Sequence, residues 1–297
     1  MTVRGASSVC RADVDPELTQ GMVPALADQP FVGIVAALPA EARCLVRSDA
    51  PVGARCVVNA RVRVHVGGIG AAAARQAATS LIADGAAALV SWGFAAGLED
   101  TLAAGTLVIS DRVVAASETT GARDRRDGFD ATASATASAS PSTSRAWAAR
   151  LSTRLGRTVP IVHGAIVCPE HVVRTADEKR ALGASGAVAA DMETAAIASV
   201  AVAAGVPWLA MRVVVDTIDM VVPASVASAI DAAGKVQMVR LLHGLLCRPS
   251  DLASLPALAR AYRRAMRTLE IVGRVAVDGL LIPDSVARGA GAAEHHR

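Results

Sequence analysis

Aromatic side chains make up only 2% of this chain of 297 residues. A core built without them must be assembled from alanine, valine and leucine, in many small contacts rather than a few large ones. Cysteine is scattered: Cys10, Cys44, Cys56, Cys168 and Cys247 include no CxxC pair. That spacing argues against a disulfide framework or a zinc site and for reduced thiols. The 6 histidines, His295 and His296 among them, show no HExxH or related spacing, so neither a metal nor another bound cofactor is expected. No apolar run reaches the roughly 18 residues that a membrane-spanning helix needs. Residues 1–30 carry Arg4, Arg11, Asp13, Asp15 and Glu17 without an apolar centre, unlike a secretory signal. They read as a loose, flexible leader, and a cytoplasmic protein is expected. A net charge of +3 is too balanced to favour nucleic acid as a partner.

What the chain does have is a succession of apolar strands and alanine-rich helices, 53% hydrophobic overall, which predicts an α/β domain. Residues 31–38 are a continuous apolar run, and Pro39 stands at the first position of a helix, where its missing N–H costs nothing. Residues 61–66 alternate as a half-exposed strand does, then lead through Gly67-Gly68-Ile69-Gly70 into a helix ending at Ile82. A dinucleotide fingerprint would place a third glycine where Ala73 stands, so this reads as a tight turn. Residues 86–90 and 106–111 are further strands. Residues 118–144 turn charged and then low in complexity, the composition of a surface loop. Residues 145–155 read as a helix and 159–167 as one strand.

Residues 187–219 concentrate the chemistry. Asp191 is a good N-cap, and the helix after it closes on Gly205 as its C′ residue. Glu193 falls in the first turn, where the macrodipole favours an ionised carboxylate. Such a group is a natural acceptor for a pair of sugar hydroxyls. After Pro207, the run WLAMRVVV is a strand covered on both faces. Asp216 stands at its carboxyl end, where open α/β sheets bind ligands, and an acid in that apolar setting has reason to hold a proton. Spacing alone equally allows all three acids to be helix caps.

Asp191-Met192-Glu193, an alanine-rich helix, and a strand ending Arg212-Val-x-x-Asp216 together resemble the purine nucleoside phosphorylase and nucleosidase superfamily. The resemblance implies a mixed central sheet flanked by helices, an enzyme that cleaves the N-glycosidic bond of a nucleoside, and a homo-oligomer. Met192 and Glu193 would hold the ribose. Asp216, with Asp219 as a rival, would protonate N7 of the leaving purine. Glu41 would orient the attacking water, as in the adenine nucleosidases. Ser91-Trp92-Gly93-Phe94-Ala95-Ala96-Gly97-Leu98 resembles the family's pocket-lining Gly-Ser-Ala-Gly-Gly-Leu, with Phe94 in place of a small polar residue. Phe94 and Ala95 would therefore line the pocket. Val172 and Val173, beside His171, fall where the nucleosidases present a base-stacking phenylalanine. Bacterial phosphorylases bind inorganic phosphate, their co-substrate, through arginines near the positions of Glu41 and Ser91. Hydrolysis is therefore expected over phosphorolysis, with Arg43 and Arg212 as the two side chains that would restore a phosphate site.

The nucleoside domain is expected over residues 31–222, a helical extension of it over 223–282, and a tail over 283–297. Leu255, Leu258, Tyr262, Met266 and Leu269 recur at helical spacing against Arg260, Arg263, Arg264 and Arg267. Such a stripe reads first as core or subunit contact; a basic amphipathic helix also suits a peripheral membrane contact. The stretch 222–226, residues 231–234 and Cys247-Arg248-Pro249 resemble the tail of hopanoid-associated phosphorylase-like proteins. This implies adenosylhopane, a triterpenoid carrying adenosine, as substrate in hopanoid biosynthesis. A nucleosidase for methylthioadenosine or S-adenosylhomocysteine is the alternative within enzymes. A non-catalytic nucleoside-binding protein is the alternative outside them, and retention of all three carboxylates argues against it.

Overall fold

The computed structural model describes residues 9–11, 29–46, 48–114, 142–229, 237, 243, 248–277 and 283. Its strands are β1 (Val9–Arg11), β2 (Phe31–Ala36), β3 (Arg55–Asn59), β4 (Val62–Val66), β5 (Ala86–Gly97), β6 (Leu107–Ser110), β7 (Val113–Val114), β8 (Ile161–His163), β9 (Ala165–Val167), β10 (Ala187–Ala190) and β11 (Trp208–Asp216). The helices are α1 (Pro39–Ala42), α2 (Ala71–Ala83), α3 (Ser142–Leu155), α4 (Ala176–Gly183), α5 (Thr194–Ala203), α6 (Ala224–Ala229) and α7 (Leu255–Val275).

β5 is the strand on which the sheet is assembled. It pairs in parallel with β2 and β11 and antiparallel with β10. From β2 the sheet continues through β4 and β3 to β1, from β11 through β6 to β8, and from β10 through β9 to β7. The mixed sheet flanked by helices is the architecture the sequence implied. β2 is buried along its whole length and β11 nearly so, which is why their sequences are continuous rather than alternating.

Each face of the sheet carries its own core. Trp92, Trp147, Leu151, Leu269 and Val272 join α3 and α7 to one face. Ala74, Ala77, Leu81, Ala196, Ile197 and Ala201 join α2 and α5 to the other. The three tryptophans are all buried, and small aliphatic side chains fill the rest, as the scarcity of aromatics required.

Four local expectations are corrected. The strand expected over residues 86–90 runs on through 91–97 as the second half of β5, paired with β11 on one side. Residues 159–167 do not form one strand. The chain breaks at Gly164, where a Cβ would stand 2.4 Å from Val188 Cγ1, so the Val188 side chain fills the place a residue of an ordinary strand would need. Val9–Arg11, within the expected leader, pairs with β3. Residues 142–144 begin α3 instead of ending the surface loop. The remainder of that loop, residues 231–234, Cys247 and nearly all of the tail lie outside the described residues. No helix among the described residues is long and apolar enough to cross a membrane.

Candidate active site

Glu41 is placed by the end of β2. Leu38 is extended, Pro39 opens α1, and Glu41 at the third helical position folds back over the turn. Its Oε2 accepts the N–H groups of Ala37 at 3.0 Å and Leu38 at 2.9 Å, and its Oε1 accepts that of Phe94 at 2.9 Å. Gly93 makes this approach possible. Its φ is 146°, and a Cβ there would fall 2.2 Å from Glu41 Oε1. Burial pushes the Glu41 carboxyl up to about 7, against the pull of Arg212 and of the N–H groups of Leu38 and Phe94.

Asp191 closes the gap between β10 and α5. Its Oδ1 accepts the N–H groups of Glu193 at 3.2 Å and Thr194 at 3.0 Å, and its Oδ2 is bonded to the Thr194 hydroxyl. At the far end Gly205 takes φ 67°, and Val206 N–H reaches back to Ala201 O at 3.0 Å, a Schellman closure. Held between these ends, Glu193 is buried, and its Oε1 accepts the N–H of Gly70 at 2.8 Å. The glycine turn after β4 therefore reaches the site. Burial, with Asp191 beside it, raises the Glu193 carboxyl, while Arg212 lowers it.

Arg212, from the middle of β11, ties these groups together. Its side chain is 1% exposed, and Nε lies 2.6 Å from Asp191 Oδ2, an ion-pair contact off the line of a good hydrogen bond. Nη2 donates to Ser91 Oγ at 2.6 Å and lies 3.5 Å from Glu193 Oε2, and Nη1 reaches Phe94 O at 3.4 Å. Ser91 and Thr194 share a hydrogen bond of 2.8 Å. One guanidinium thus contacts two acids, Asp191 and Glu193, and its charge also acts on a third, Glu41.

Asp216 ends β11 in a buried position, and burial raises its carboxyl above the usual range. Against that rise stands a partner the sequence did not announce: Lys179 Nζ, fully buried, lies 2.6 Å from Asp216 Oδ2. The rival Asp219 is turned outward, with a side chain 74% exposed and paired with Arg180.

The remaining expected residues divide. Met192 is half-buried, next to Glu193. The Phe94 ring lies 5.6 Å from that of Tyr262 on α7, tilted at 55°, so the extension beyond residue 222 packs on the pocket segment. The structure places the other expected lining residues as follows. The Ala95 side chain packs into the core with residues of α2 and α5. Val173 packs with Leu98, Val167, Ala187 and Ala190, while Val172 is 48% exposed. Arg43 points away, toward Asp49 at 3.6 Å. No group of three or more His, Cys, Asp or Glu among the described residues could hold a metal ion.

A family model described as the phosphorylase superfamily matches residues 31–242. The chain belongs to this superfamily. It is an enzyme of the kind the superfamily comprises, and solved structures share its fold. Helicobacter pylori 5′-methylthioadenosine/S-adenosylhomocysteine nucleosidase matches with a TM-score of 0.55 at 20% identity, over 82% of this chain and 97% of that one. Futalosine hydrolase of Helicobacter pylori strain 26695 gives 0.54 at 20%, over 81% and 97%. The Neisseria meningitidis methylthioadenosine/S-adenosylhomocysteine nucleosidase gives 0.54 at 17%, over 82% and 98%. Among curated proteins no match is found.

Proposed function

We infer that the protein hydrolyses the N-glycosidic bond of an adenine nucleoside. The observation that carries this reading is the set of three buried carboxylates: Glu41 and Glu193 beside an arginine whose donors are already engaged, and Asp216 at the end of the same strand beside Lys179. Asp216 gives a proton to N7 of adenine, and the electron pair of the C1′–N9 bond passes into the purine. Glu193 accepts hydrogen bonds from the ribose hydroxyls as the sugar gains oxocarbenium character, with Met192 beside it. Water bonds to C1′ and its proton passes to Glu41. One proton is delivered and one recovered, so the reaction balances without a cofactor.

Water is favoured over phosphate by charge. A phosphate dianion needs unengaged guanidinium donors. Those of Arg212 are directed to Asp191, Ser91, Glu193 and Phe94 O, and Arg43 points away. A carboxylate at Glu41 would repel the dianion.

For the 5′ substituent the reading is a bulky apolar group, adenosylhopane in particular. Phe94 and Tyr262 offer an aromatic pair beside Glu41. The outer side of α7, the helix that supplies Tyr262, exposes Arg260, Arg263, Arg264, Arg267 and Arg274, a row suited to an anionic bilayer. Methylthioadenosine or S-adenosylhomocysteine is the second reading, favoured by the fold likeness to nucleosidases that carry those names.

The test follows adenine release from adenosylhopane, methylthioadenosine, S-adenosylhomocysteine and adenosine in phosphate-free buffer. Release that starts only on adding phosphate, with a sugar 1-phosphate formed in step, would overturn hydrolysis. Higher kcat/KM for methylthioadenosine than for adenosylhopane would decide for the second reading.

A further inference from the structure

Residues 176–183 read ADEKRALG, the composition of a solvated helix, yet the Lys179 side chain is 0% exposed. The start of α4 explains its direction. Thr175 Oγ1 accepts the N–H of Glu178 at 3.2 Å, and Glu178 Oε2 accepts the N–H groups of Thr175 at 3.0 Å and Arg174 at 2.7 Å. This reciprocal cap fixes the rotation of the helix about its axis. Lys179 then faces the carboxyl end of β11, while Arg180 pairs with Asp219 outside the same turn. Lys179 Nζ donates to Thr217 O at 2.6 Å and Met220 O at 2.7 Å, and it lies 2.6 Å from Asp216 Oδ2. Two of its protons go to carbonyls, and the contact with Asp216 Oδ2 is an ion pair off the line of a good hydrogen bond. An ammonium taken out of water is costly unless it is paired. The two carbonyls alone would tie down the 217–220 turn; the third contact reaches the acid.

We propose that Lys179 is a positioning residue for the glycosidic cleavage, holding Asp216 by Oδ2 and stabilising the carboxylate that remains once its proton has moved to purine N7. The inference rests on Asp216 as the acid. In the step, the O–H bond of Asp216 breaks, the N7–H bond forms, and the C1′–N9 electron pair enters the ring. Lys179 takes no part in the proton transfer. The pocket therefore passes from a neutral acid beside an ammonium to a full ion pair as the base departs. An opposite charge at this range lowers a carboxyl pKa by about 1–3 units, which offsets part of the rise caused by burial. β5 faces Asp216 with Ala96 and Gly97 and brings no charge. The neighbouring loops carry Asp219, paired with Arg180, Arg174, whose carbonyl accepts Val222 N–H, and the exposed Glu99, Asp100, Glu170 and His171.

The experiment compares wild type, K179M, K179R and D216N in kcat/KM against pH. It uses an adenine nucleoside and p-nitrophenyl β-D-ribofuranoside, whose phenolate leaves without being protonated. K179M is expected to lose about tenfold or more on the adenine nucleoside, with its alkaline limb moved up by about 1–3 pH units. It should lose far less on the nitrophenyl riboside, and K179R should hold the limb near its wild-type position. An unmoved limb in K179M, or parallel losses on both substrates, would make Lys179 a strut for the 217–220 turn and overturn the proposal. If K179M fails to fold, an upward-shifted limb in K179R, where the charge is kept, overturns it equally. Wild-type turnover in D216N would instead remove the acid assignment itself.

Discussion

Arg212 Nε lies 2.6 Å from Asp191 Oδ2, and both side chains are 1% exposed. This buried pair joins two consecutive elements, the start of α5 and the middle of β11. It also fixes Glu193, whose N–H is bonded to the same carboxylate. Arg212→Met keeps much of the volume and strips the charge, leaving Asp191 and Glu193 to face each other in a dry site. Breaking a buried pair from one side typically costs about 3–5 kcal/mol. Urea denaturation of R212M should show a loss of that order together with loss of adenine release. A stable, active R212M would mean that the pair is dispensable.

Asp216→Asn keeps the shape and removes the titrating proton. Turnover should fall by about 10²–10⁴-fold, the range of general acid help, while nucleoside binding measured by calorimetry survives. Asp219→Asn, at an exposed pair, should stay near wild type. The opposite pattern would transfer the role to Asp219.

The sequence made part of this site readable and hid the rest, for physical reasons. Glu41, Glu193 and Asp216 stand at element ends, where capping chemistry and strand termini leave a local signature. β11 and the Gly205 closure were readable in the same way. Lys179 was not. A lysine among Asp177, Glu178 and Arg180 has the local look of solvent, and its burial comes from oxygens 37 or more positions away. Arg212 was weighed only as a phosphate partner, because nothing local says that Asp191 and Ser91 would occupy its donors. Val172 and Val173 show the same limit: adjacent residues on an irregular stretch take opposite directions, and no periodicity says which one packs inward.

Gly93→Ala tests the contact between β5 and Glu41. The new Cβ would meet Glu41 Oε1 at 2.2 Å, in a backbone conformation of φ 146° that side chains rarely adopt. Glu41 must then move away from the N–H groups of Ala37, Leu38 and Phe94. A displacement of about 1 Å in a catalytic group can cost about a hundredfold in rate. Adenine release by G93A should fall at least that far while its circular dichroism spectrum stays native. Wild-type kcat/KM in G93A would show that the carboxylate can leave its cradle without consequence.

The pH profile addresses Glu41 directly. To take a proton from water it must be ionised, and burial has pushed its carboxyl up to about 7. Below that pH the free enzyme holds Glu41 protonated, and kcat/KM, which reports the free enzyme, should fall about tenfold per pH unit. At pH 5 it should be about a hundredfold below its plateau, far more than an ordinary surface glutamate would cause. The sign follows from burial exceeding the opposing pull of Arg212; an ion pair that dominated would move the limb below 4.5. In Glu41→Ala the plateau should drop by about 10²–10⁴-fold and the acidic limb near 7 should vanish with it. A limb near 7 that persists in E41A would assign the titration to another group, and Glu193, whose carboxyl burial also raises, is the next to replace.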